Sequence, residues 1–94
     1  MGNIQIIDEL GRIIITKDLR NELNIQLKSS LWLYIEEEQI IVSINEGSGI
    51  ERKIDELARI NIPKNMRTEL GLEVNDKVTI YIENHKLIIK KIKI

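Results

Sequence analysis

The sequence predicts an α+β fold built from two β-β-α-β-β units, and three observations lead to this fold class. Residues 7–44 align without a gap with residues 54–91, and fifteen of the thirty-eight aligned pairs are identical. Each copy contains stretches in which apolar and polar residues alternate, which indicates strands. Between these stretches each copy has a short segment with helix start and stop signals. Because one such unit buries little surface alone, we expect the two copies to close one core between them.

Length and composition limit the possible protein classes. The chain has 94 residues and no cysteine, which fits one domain without disulfides in a reducing cytosol. We expect one domain over residues 1–94, made of repeats 3–44 and 50–92 that are joined by a flexible linker at 45–49. No apolar run approaches the roughly 20 residues of a membrane helix, and the N-terminus lacks the features of a signal peptide. We therefore predict a cytoplasmic protein that does not contact a membrane.

The first half of each repeat is predicted to form two strands joined by a tight turn. Asn3–Asp8 and Arg12–Ile15 are the two strands in the first copy, and Leu10-Gly11 is the turn between them. Ala58 replaces Gly11 in the second copy. If the turn requires a positive φ, the second copy is strained at Ala58; otherwise the turn is of a type that tolerates alanine.

A short helix follows the hairpin in each copy. Its predicted N-terminus lies at Thr16, an N-cap candidate, and at Pro63, which suits the first helical position. Its predicted C-terminus lies at Asn24 and Gly71, the residue types best suited to the left-handed closing position. Apolar residues four apart give each helix one buried face, namely Leu19 and Leu23 in the first copy and Met66 and Leu70 in the second.

A hairpin completes each unit. The alternating segments Ser30–Glu36 and Lys77–Glu83 are predicted strands, followed by the returning strands Gln39–Ile44 and Lys86–Ile92. Asn84-His85 is a suitable two-residue turn, because asparagine tolerates a positive φ, whereas Glu37-Glu38 is a poorer one. The alternation places Trp32 and Tyr34 on the outward face of the sheet. An outward tryptophan beside a tyrosine indicates covered apolar surface, so we predict possible self-association through these two residues. The alternative is that Trp32 lies flat across its own sheet.

The charge is divided unequally along the chain. The formal net charge is −1 in total, but it is −4 over residues 1–47 (the first half) and +3 over residues 48–94 (the second half). Because the local field steers association, the second half is the one that an anion would approach.

One extended motif carries a resemblance to a known family. Residues 51–71 read ERKIDELARINIPKNMRTELG, and Asn75-Asp76-Lys77 and the strand ending Ile88-Ile89-Lys90-Lys91 follow. This pattern resembles the AbrB-like (SpoVT-AbrB, swapped-hairpin) family of bacterial transcription regulators, and a weaker copy of it occupies the first half. The resemblance implies a swapped-hairpin barrel, usually formed by two chains but supplied here by one. It also implies double-stranded DNA as the partner. The same family includes antitoxins such as MazE.

The resemblance also implies which residues contact DNA. The family reads DNA largely with arginines at four motif positions. The first position has arginine only in the second copy, as Arg52, and Gln5 stands there in the first copy. The second and third positions have arginine in both copies, and at the fourth position the arginine is replaced by Thr68 and Asn21. With the lysines at the helix starts, the implied DNA-binding residues are Arg12, Lys17, Arg20, Arg52, Arg59, Lys64 and Arg67.

Other functions are weighed against this prediction. Arg12 and Arg59 have a simpler interpretation as strand-end charges that form ion pairs with the acidic residues preceding each turn. A protein-interaction module, either antitoxin-like or a modulator of another regulator of this fold, is the alternative function. Neighbouring carboxylates such as Asp8-Glu9 face opposite ways on a strand, so no enzyme is predicted. His85 is the only histidine, and a metal site needs several convergent ligands, none of which are spaced for one in this sequence. No cofactor, metal or small-molecule substrate is expected.

Overall fold

The structure is a computed structural model that describes residues 3–92. Within that range the chain forms eight strands and two helices. In chain order these are β1 (Asn3–Ile6), β2 (Arg12–Ile14), α1 (Lys17–Leu23), β3 (Ser30–Glu36), β4 (Gln39–Ser43), β5 (Ile50–Lys53), β6 (Arg59–Asn61), α2 (Lys64–Leu70), β7 (Lys77–Glu83) and β8 (Lys86–Lys91). The order strand, strand, helix, strand, strand occurs once in each half, as predicted. Several strands end one or two residues earlier than the alternation indicated. Neither helix of the described region has the length and apolar character needed to cross a membrane.

The strands of the two halves are interleaved. Six strands form one antiparallel sheet in the order β1-β7-β8-β4-β3-β5, and β2 pairs with β6 in a separate two-stranded ribbon. Within residues 3–92, the hairpins β3–β4 and β7–β8 are the only pairings that stay inside one half. The other four pairings, β1–β7, β2–β6, β3–β5 and β4–β8, each join a strand of the first half to a strand of the second. Each half therefore depends on hydrogen bonds from the other.

The predicted closure into a barrel is not present in the strand pairing. Among the described residues, the six-stranded sheet is open, with β1 and β5 at its two edges. After each edge strand, the chain turns sharply at residues 8–11 or 55–58 and continues into the ribbon. There β2 and β6 bond to each other. The edge strands β1 and β5 do not pair with each other within the described residues.

One hydrophobic core receives side chains from the sheet, the ribbon and both helices. The ribbon contributes Ile13 and Ile60, whose side chains are almost completely buried. Helix α1 contributes Leu19 and Leu23, as predicted, and α2 contributes Met66. The second predicted contact residue of α2, Leu70, is only partly buried against this core. Burial of both ribbon isoleucines fixes which face of the ribbon points outward, since successive side chains alternate.

The helix ends follow the predicted residue types at the C-terminus better than at the N-terminus. Asn24 and Gly71 adopt the left-handed conformation, with φ of 57° and 65°, which confirms both predicted C-caps. Thr16 occupies the N-cap position, but its side chain forms no capping bond; its Oγ1 accepts a hydrogen bond from Asn3 Nδ2 at 3.3 Å instead. Pro63 lies at the N-cap and not at the first helical position as predicted, because the helix begins at Lys64.

A positive φ occurs both in the turns that follow the edge strands and in the turns that close the hairpins β3–β4 and β7–β8. Gly11 has φ of 78° and Ala58 has φ of 65°, so the turn that follows each edge strand does not belong to a tolerant type, and the second half is strained at Ala58. A left-handed residue with a Cβ costs about 1–2 kcal/mol. Glu37 and Glu38 also have positive φ, as do Asn84 and His85. Strand pairing thus imposes the same turn on two glutamates that are poorly suited to it.

Gly49, at the end of the predicted linker, approaches β3 too closely for any side chain. A Cβ at this position would lie 2.1 Å from the carbonyl oxygen of Leu33. Since that oxygen belongs to the backbone of a paired strand, it cannot move aside easily. We predict that Gly49→Ala lowers the free energy of unfolding by about 1–3 kcal/mol, measured by urea denaturation.

Gly47→Ala is the matched control for this linker prediction. Nothing lies within 4 Å of its added Cβ, and its φ of 80° leaves only the left-handed strain of about 1–2 kcal/mol. If Gly49→Ala unfolds at the same urea concentration as the wild type, the close approach to Leu33 is wrong.

Candidate nucleic-acid interface

The ribbon brings arginines from both halves to one outward face. Arg12 lies opposite Asn61, and Ile14 lies opposite Arg59, on either side of the buried pair Ile13–Ile60. Side chains alternate along each strand, so the residues of both flanking pairs point away from the core while Ile13 and Ile60 point into it. Arg12 and Arg59 are diagonal neighbours, for which the usual separation is roughly 7–8 Å. Two guanidinium groups from distant parts of the sequence therefore share one small surface.

An aspartate at the start of each turn orients the ribbon arginine of the same half. Asp8 Oδ1 accepts the backbone N–H groups of Leu10 and Arg12 at 3.0 and 2.8 Å, and Oδ2 accepts Arg12 Nε at 2.8 Å. Asp55 accepts the equivalent three bonds, including Arg59 Nε at 2.8 Å. The ion-pair interpretation of the two arginines is therefore correct as geometry.

The ion pairs leave part of each guanidinium available. Nε is the only atom of the Arg12 and Arg59 guanidinium groups that forms a hydrogen bond within the described part of the chain. An arginine has five N–H donors in a fixed plane, so both Nη groups of each side chain can bind another acceptor. The aspartates fix the direction of the arginines and offset part of their charge.

The same hydrogen bonds lower the pKa values of the two aspartates. For Asp8, burial disfavours the charged form, but the N–H groups of Arg12 and Leu10 and the Arg12 guanidinium outweigh burial and hold the pKa below 3.8. For Asp55, the Arg59 backbone N–H has the largest effect, and the net shift of the pKa is also downward. Both carboxylates are thus charged at neutral pH and keep the two arginines in place.

These depressed pKa values predict how stability depends on pH. A group whose folded pKa is lowered stabilises the protein fully above its unfolded pKa, and the effect disappears as pH falls through the folded pKa. We expect the melting temperature of Asp8→Asn/Asp55→Asn to lie below that of the wild type by a constant amount from about pH 7 to about pH 5. The difference should shrink below pH 3.8, the ordinary pKa of aspartate. A difference that persists unchanged to about pH 2 contradicts this.

A second pair of arginines flanks the ribbon from the helices. Arg20 of α1 donates from Nη1 to the Ile15 carbonyl, and Arg67 of α2 donates from Nε to the Ile62 carbonyl at 2.9 Å. Both carbonyls lie between a ribbon strand and the following helix, so each arginine folds back toward the ribbon. Both side chains are half-buried. The ribbon and its flanks thus carry four of the five arginines in the chain.

The other predicted site residues lie outside the ribbon, at the starts of the helices or on an edge strand of the sheet. Lys17 and Lys64 are the exposed first residues of α1 and α2, two residues beyond the carbonyls that bind the helix arginines. Arg52 lies on the edge strand β5, outside the ribbon, with its Nη1 bonded to the Glu51 carbonyl at 2.8 Å. Its cross-strand neighbour is the buried Leu31. The ribbon therefore does not include Arg52.

Sequence reasoning missed the apolar and amide groups beside the arginines. Leu10 and Leu57 lie at the tips of the two turns and are 60% and 63% exposed, and Ile14 is 45% exposed. Asn61 Nδ2 donates to the Leu10 carbonyl at 2.7 Å and links the ribbon to the opposite turn. The identical leucines at turn tips were the available signal, because an exposed apolar residue has no structural reason to recur there.

The outward face of the six-stranded sheet contains a smaller apolar cluster. Ile41 and Ile88 are opposite each other on β4 and β8 and are 4% and 5% exposed, although they point away from the main core. Their neighbours across the sheet are Tyr34 and Tyr81. Lys86 Nζ donates to the Tyr34 hydroxyl at 3.0 Å, and this bond raises the pKa of Lys86.

Trp32 is half-buried on this same face. Its cross-strand neighbours are Ser43, which is almost completely buried, and Glu51. The predicted contact between two chains through Trp32 and Tyr34 stays a prediction. We expect Trp32→Thr, which introduces the residue of the aligned position Thr79, to reduce the sedimenting mass at matched concentration, because a buried aromatic dominates small contacts.

Leu57→Thr is the control for the Trp32 substitution, since it removes an exposed apolar side chain from a turn tip. An unchanged mass for Trp32→Thr rules out the contact. If both variants lose the same sedimenting mass, the self-association does not depend specifically on Trp32.

Within residues 3–92, no group of three or more histidine, cysteine, aspartate or glutamate side chains is arranged to hold a metal ion.

Comparisons with known proteins agree with the resemblance over part of the chain. The family model described as "Antidote-toxin recognition MazE, bacterial antitoxin" matches residues 51–94. A segment of 41 residues is 44% identical to the transition state regulatory protein AbrB of Bacillus subtilis (strain 168). That alignment covers 44% of this chain and 43% of AbrB, so the match spans less than half of either protein.

The solution structure of PHS018 from Pyrococcus horikoshii has a similar fold. Its TM-score to this chain is 0.58 over 99% of this chain and 95% of that one, with 17% sequence identity. At this identity the likeness concerns the fold alone. The small α+β arrangement is consistent with the fold of AbrB-like and MazE-like proteins, and the sequence similarity is to a transition state regulatory protein and to a bacterial antitoxin family.

Proposed function

We propose that this protein is a sequence-preferring, DNA-binding transcriptional regulator of the AbrB type. The ribbon β2–β6 is the DNA-contacting element, and its arginines bind phosphates and base edges. We place the protein in the cytoplasm, associated with the nucleoid. The proposed contact residues are Arg12, Lys17, Arg20, Arg52, Arg59, Lys64 and Arg67, with Arg52 in a peripheral position.

The observation that carries this proposal is the arrangement of Arg12 and Arg59. Each is held by an aspartate through Nε, so the Nη groups of both are directed outward with little loss of side-chain entropy on binding. Paired arginine N–H donors match guanine O6 and N7 or two phosphate oxygens. Arginine N–H donors that are already oriented suit a polyanion whose hydrogen-bond acceptors lie at fixed distances from one another.

The shape of the ribbon supports duplex DNA as that polyanion. A two-stranded antiparallel ribbon fits the major groove, whose width is about 12 Å. The exposed Leu10 and Leu57 at the turn tips supply apolar groups of the kind that contact thymine methyls. Helix arginines beside the ribbon would then meet the flanking phosphates. Ribbon and helices together provide both base and backbone contacts.

We further propose that the chain is one domain over residues 1–94, made of two tandem repeats, 3–44 and 50–92, with residues 45–49 between them. The interleaved pairing of β1 with β7 and of β3 with β5 supports a swapped-hairpin arrangement within one chain. The linker is short, so the halves meet at a high effective concentration.

Selection from a library of random duplexes tests this function. Purified protein is mixed with 30-base-pair duplexes, bound fragments are sequenced over several rounds, and the enriched fragment is titrated by fluorescence anisotropy at two salt concentrations. We expect enrichment of a sequence and salt-sensitive binding. Arg12→Ala/Arg59→Ala should lose most of the affinity, whereas Lys86→Ala, a charge change on β8 of the six-stranded sheet, should retain it. Without salt-sensitive binding to any fragment, the DNA proposal is wrong.

A protein-interaction function is the second candidate, because β1 exposes apolar side chains. Ile4 and Ile6 are 63% and 54% exposed, whereas the equivalent positions in the second half are Glu51 and Lys53. Exposed isoleucines on an edge strand suit a protein partner better than a nucleic acid. The match to an antitoxin family favours the same candidate. A negative DNA selection together with loss of a protein partner from Ile4→Glu/Ile6→Lys would establish it.

A further inference from the structure

The two helix arginines occupy equivalent positions but form different bonds. Arg20 and Arg67 align in the repeat, as do the carbonyls of Ile15 and Ile62 that accept from them. Arg20 uses Nη1, whereas Arg67 uses Nε. The terminal Nη groups of Arg67 form no hydrogen bond within residues 3–92, whereas one Nη of Arg20 is occupied.

The difference is explained by the turn that each arginine faces. The Gly11 carbonyl accepts the Ile62 N–H at 2.9 Å, and the Ala58 carbonyl accepts the Ile15 N–H at 2.8 Å, so each turn lies beside the helix arginine of the other half. A Cβ at Gly11 would lie 2.5 Å from Arg67 Cζ and 2.7 Å from its Nε. The Arg67 guanidinium thus lies directly against a position that has no side chain.

Ala58 carries the Cβ that Gly11 lacks. By the equivalence of the two turns, Arg20 cannot take the position that Arg67 occupies, and it reaches its carbonyl with the end of the guanidinium instead. Since a guanidinium at the end of a flexible side chain moves easily, the Cβ changes the arginine and not the backbone.

We infer that Gly11 and Ala58 are specificity-determining residues, which set the two helix arginines in different binding poses. Gly11 lets Arg67 present its two Nη groups as an end-on fork, and Ala58 makes Arg20 present Nε and the remaining Nη from the side. A fork of either kind binds a pair of acceptors, such as guanine O6 and N7 or two phosphate oxygens. The two halves therefore read differently oriented acceptor pairs, which makes the preferred site non-palindromic. This inference rests on the proposed DNA-binding function.

Arginine side-chain NMR tests the poses without DNA. The protein has five arginines, so the Nε–Hε signals are few, and the Arg67 signal is the one that Arg67→Lys removes. We expect slow hydrogen exchange of this signal in the wild type. In Gly11→Ala the exchange should accelerate about fivefold or more, the factor that corresponds to one hydrogen bond of ordinary strength. Gly71→Ala is the matched control, since its φ of 65° adds the same kind of strain while nothing lies within 4 Å of its Cβ.

Binding of the selected duplex tests the reading role. Gly11→Ala should weaken binding by roughly 5- to 150-fold if Arg67 meets a base edge, and Gly71→Ala should not weaken it. In the Arg67→Ala background, Gly11→Ala should cause no further loss, because it acts through that arginine. Ala58→Gly should change the preferred bases in the other half of the site.

Each outcome decides a separate point. Unchanged Nε–Hε exchange in Gly11→Ala, or an equal change in Gly71→Ala, overturns the pose of Arg67. An equal loss of affinity from Gly11→Ala with and without Arg67 overturns the reading role. If the wild type binds no duplex, the proposed function and the reading role are both wrong, while the exchange rates still decide the pose.

Discussion

Residues 1–47, expressed alone, should not form a stable folded monomer. In the whole chain β1 pairs with β7, β2 with β6 and β4 with β8, and all three of these partners belong to the second half. The fragment keeps only the hairpin β3–β4, and an isolated two-stranded hairpin is marginal in water. We expect the fragment to be unfolded, or to self-associate so that a second copy supplies the missing partners. Its amide NMR spectrum and its sedimenting mass distinguish these states.

Mixing the two halves provides the positive control. Residues 1–47 and 48–94 together should recover the spectrum of the whole chain as a one-to-one complex, since every inter-half pairing is then available. Because the halves are no longer linked, this complex should dissociate on dilution, whereas the intact chain should not. A dispersed, concentration-independent monomer spectrum from residues 1–47 alone would show that the halves are independent, and the interleaved pairing would be wrong.

The parts of the fold that depend on local chemistry were predictable from the sequence. Asn24 and Gly71 close the helices in the left-handed conformation, because few other residues accept it without strain. The alternation of β3 and β7 gives their buried and outward faces correctly, since a strand imposes a period of two. The gapless alignment of residues 7–44 with residues 54–91 likewise predicted the same order of elements in both halves.

The parts that depend on distant contacts were not predictable in the same way. Whether the edge strands close a barrel is decided by the path of the chain after residues 8–11 and 55–58, and no local signal describes that path. The turn at Glu37 and Glu38 differs from this case, because it closes the local hairpin in which Glu36 pairs with Gln39 and was predicted although glutamate suits it poorly.

The candidate site shows the same division. The family resemblance indicated the four arginines at the ribbon, and the positions of Asp8 and Arg12 on either side of the turn allowed an ion pair. The sequence did not decide which acidic neighbour would bind the guanidinium, because that depends on the turn geometry. The contact between Arg67 and Gly11 joins residues of different halves, so the sequence alone could not indicate it.

Substitutions in the second half should weaken DNA binding more than the equivalent ones in the first. Arg59→Ala and Arg67→Ala should each cost about 1–3 kcal/mol of binding free energy if the side chain reads a base edge, and less if it meets only phosphate. Arg12→Ala and Arg20→Ala should cost less. Both ribbon arginines are bound to an aspartate at the same distance of 2.8 Å, so the immediate partner does not distinguish them.

The wider electrostatic field is what distinguishes the halves. The first half has a net charge of −4 and the second half has +3, and acidic residues near a phosphate surface weaken binding. If about four phosphates are neutralised, log affinity should fall with log salt concentration with a slope of roughly −3.6. Each alanine variant is titrated against the selected fragment at two salt concentrations. Variants that remove a phosphate contact should reduce the slope by about 1, whereas Lys86→Ala should leave it unchanged. Equal losses of affinity from Arg12→Ala and Arg59→Ala, and from Arg20→Ala and Arg67→Ala, would contradict the asymmetry.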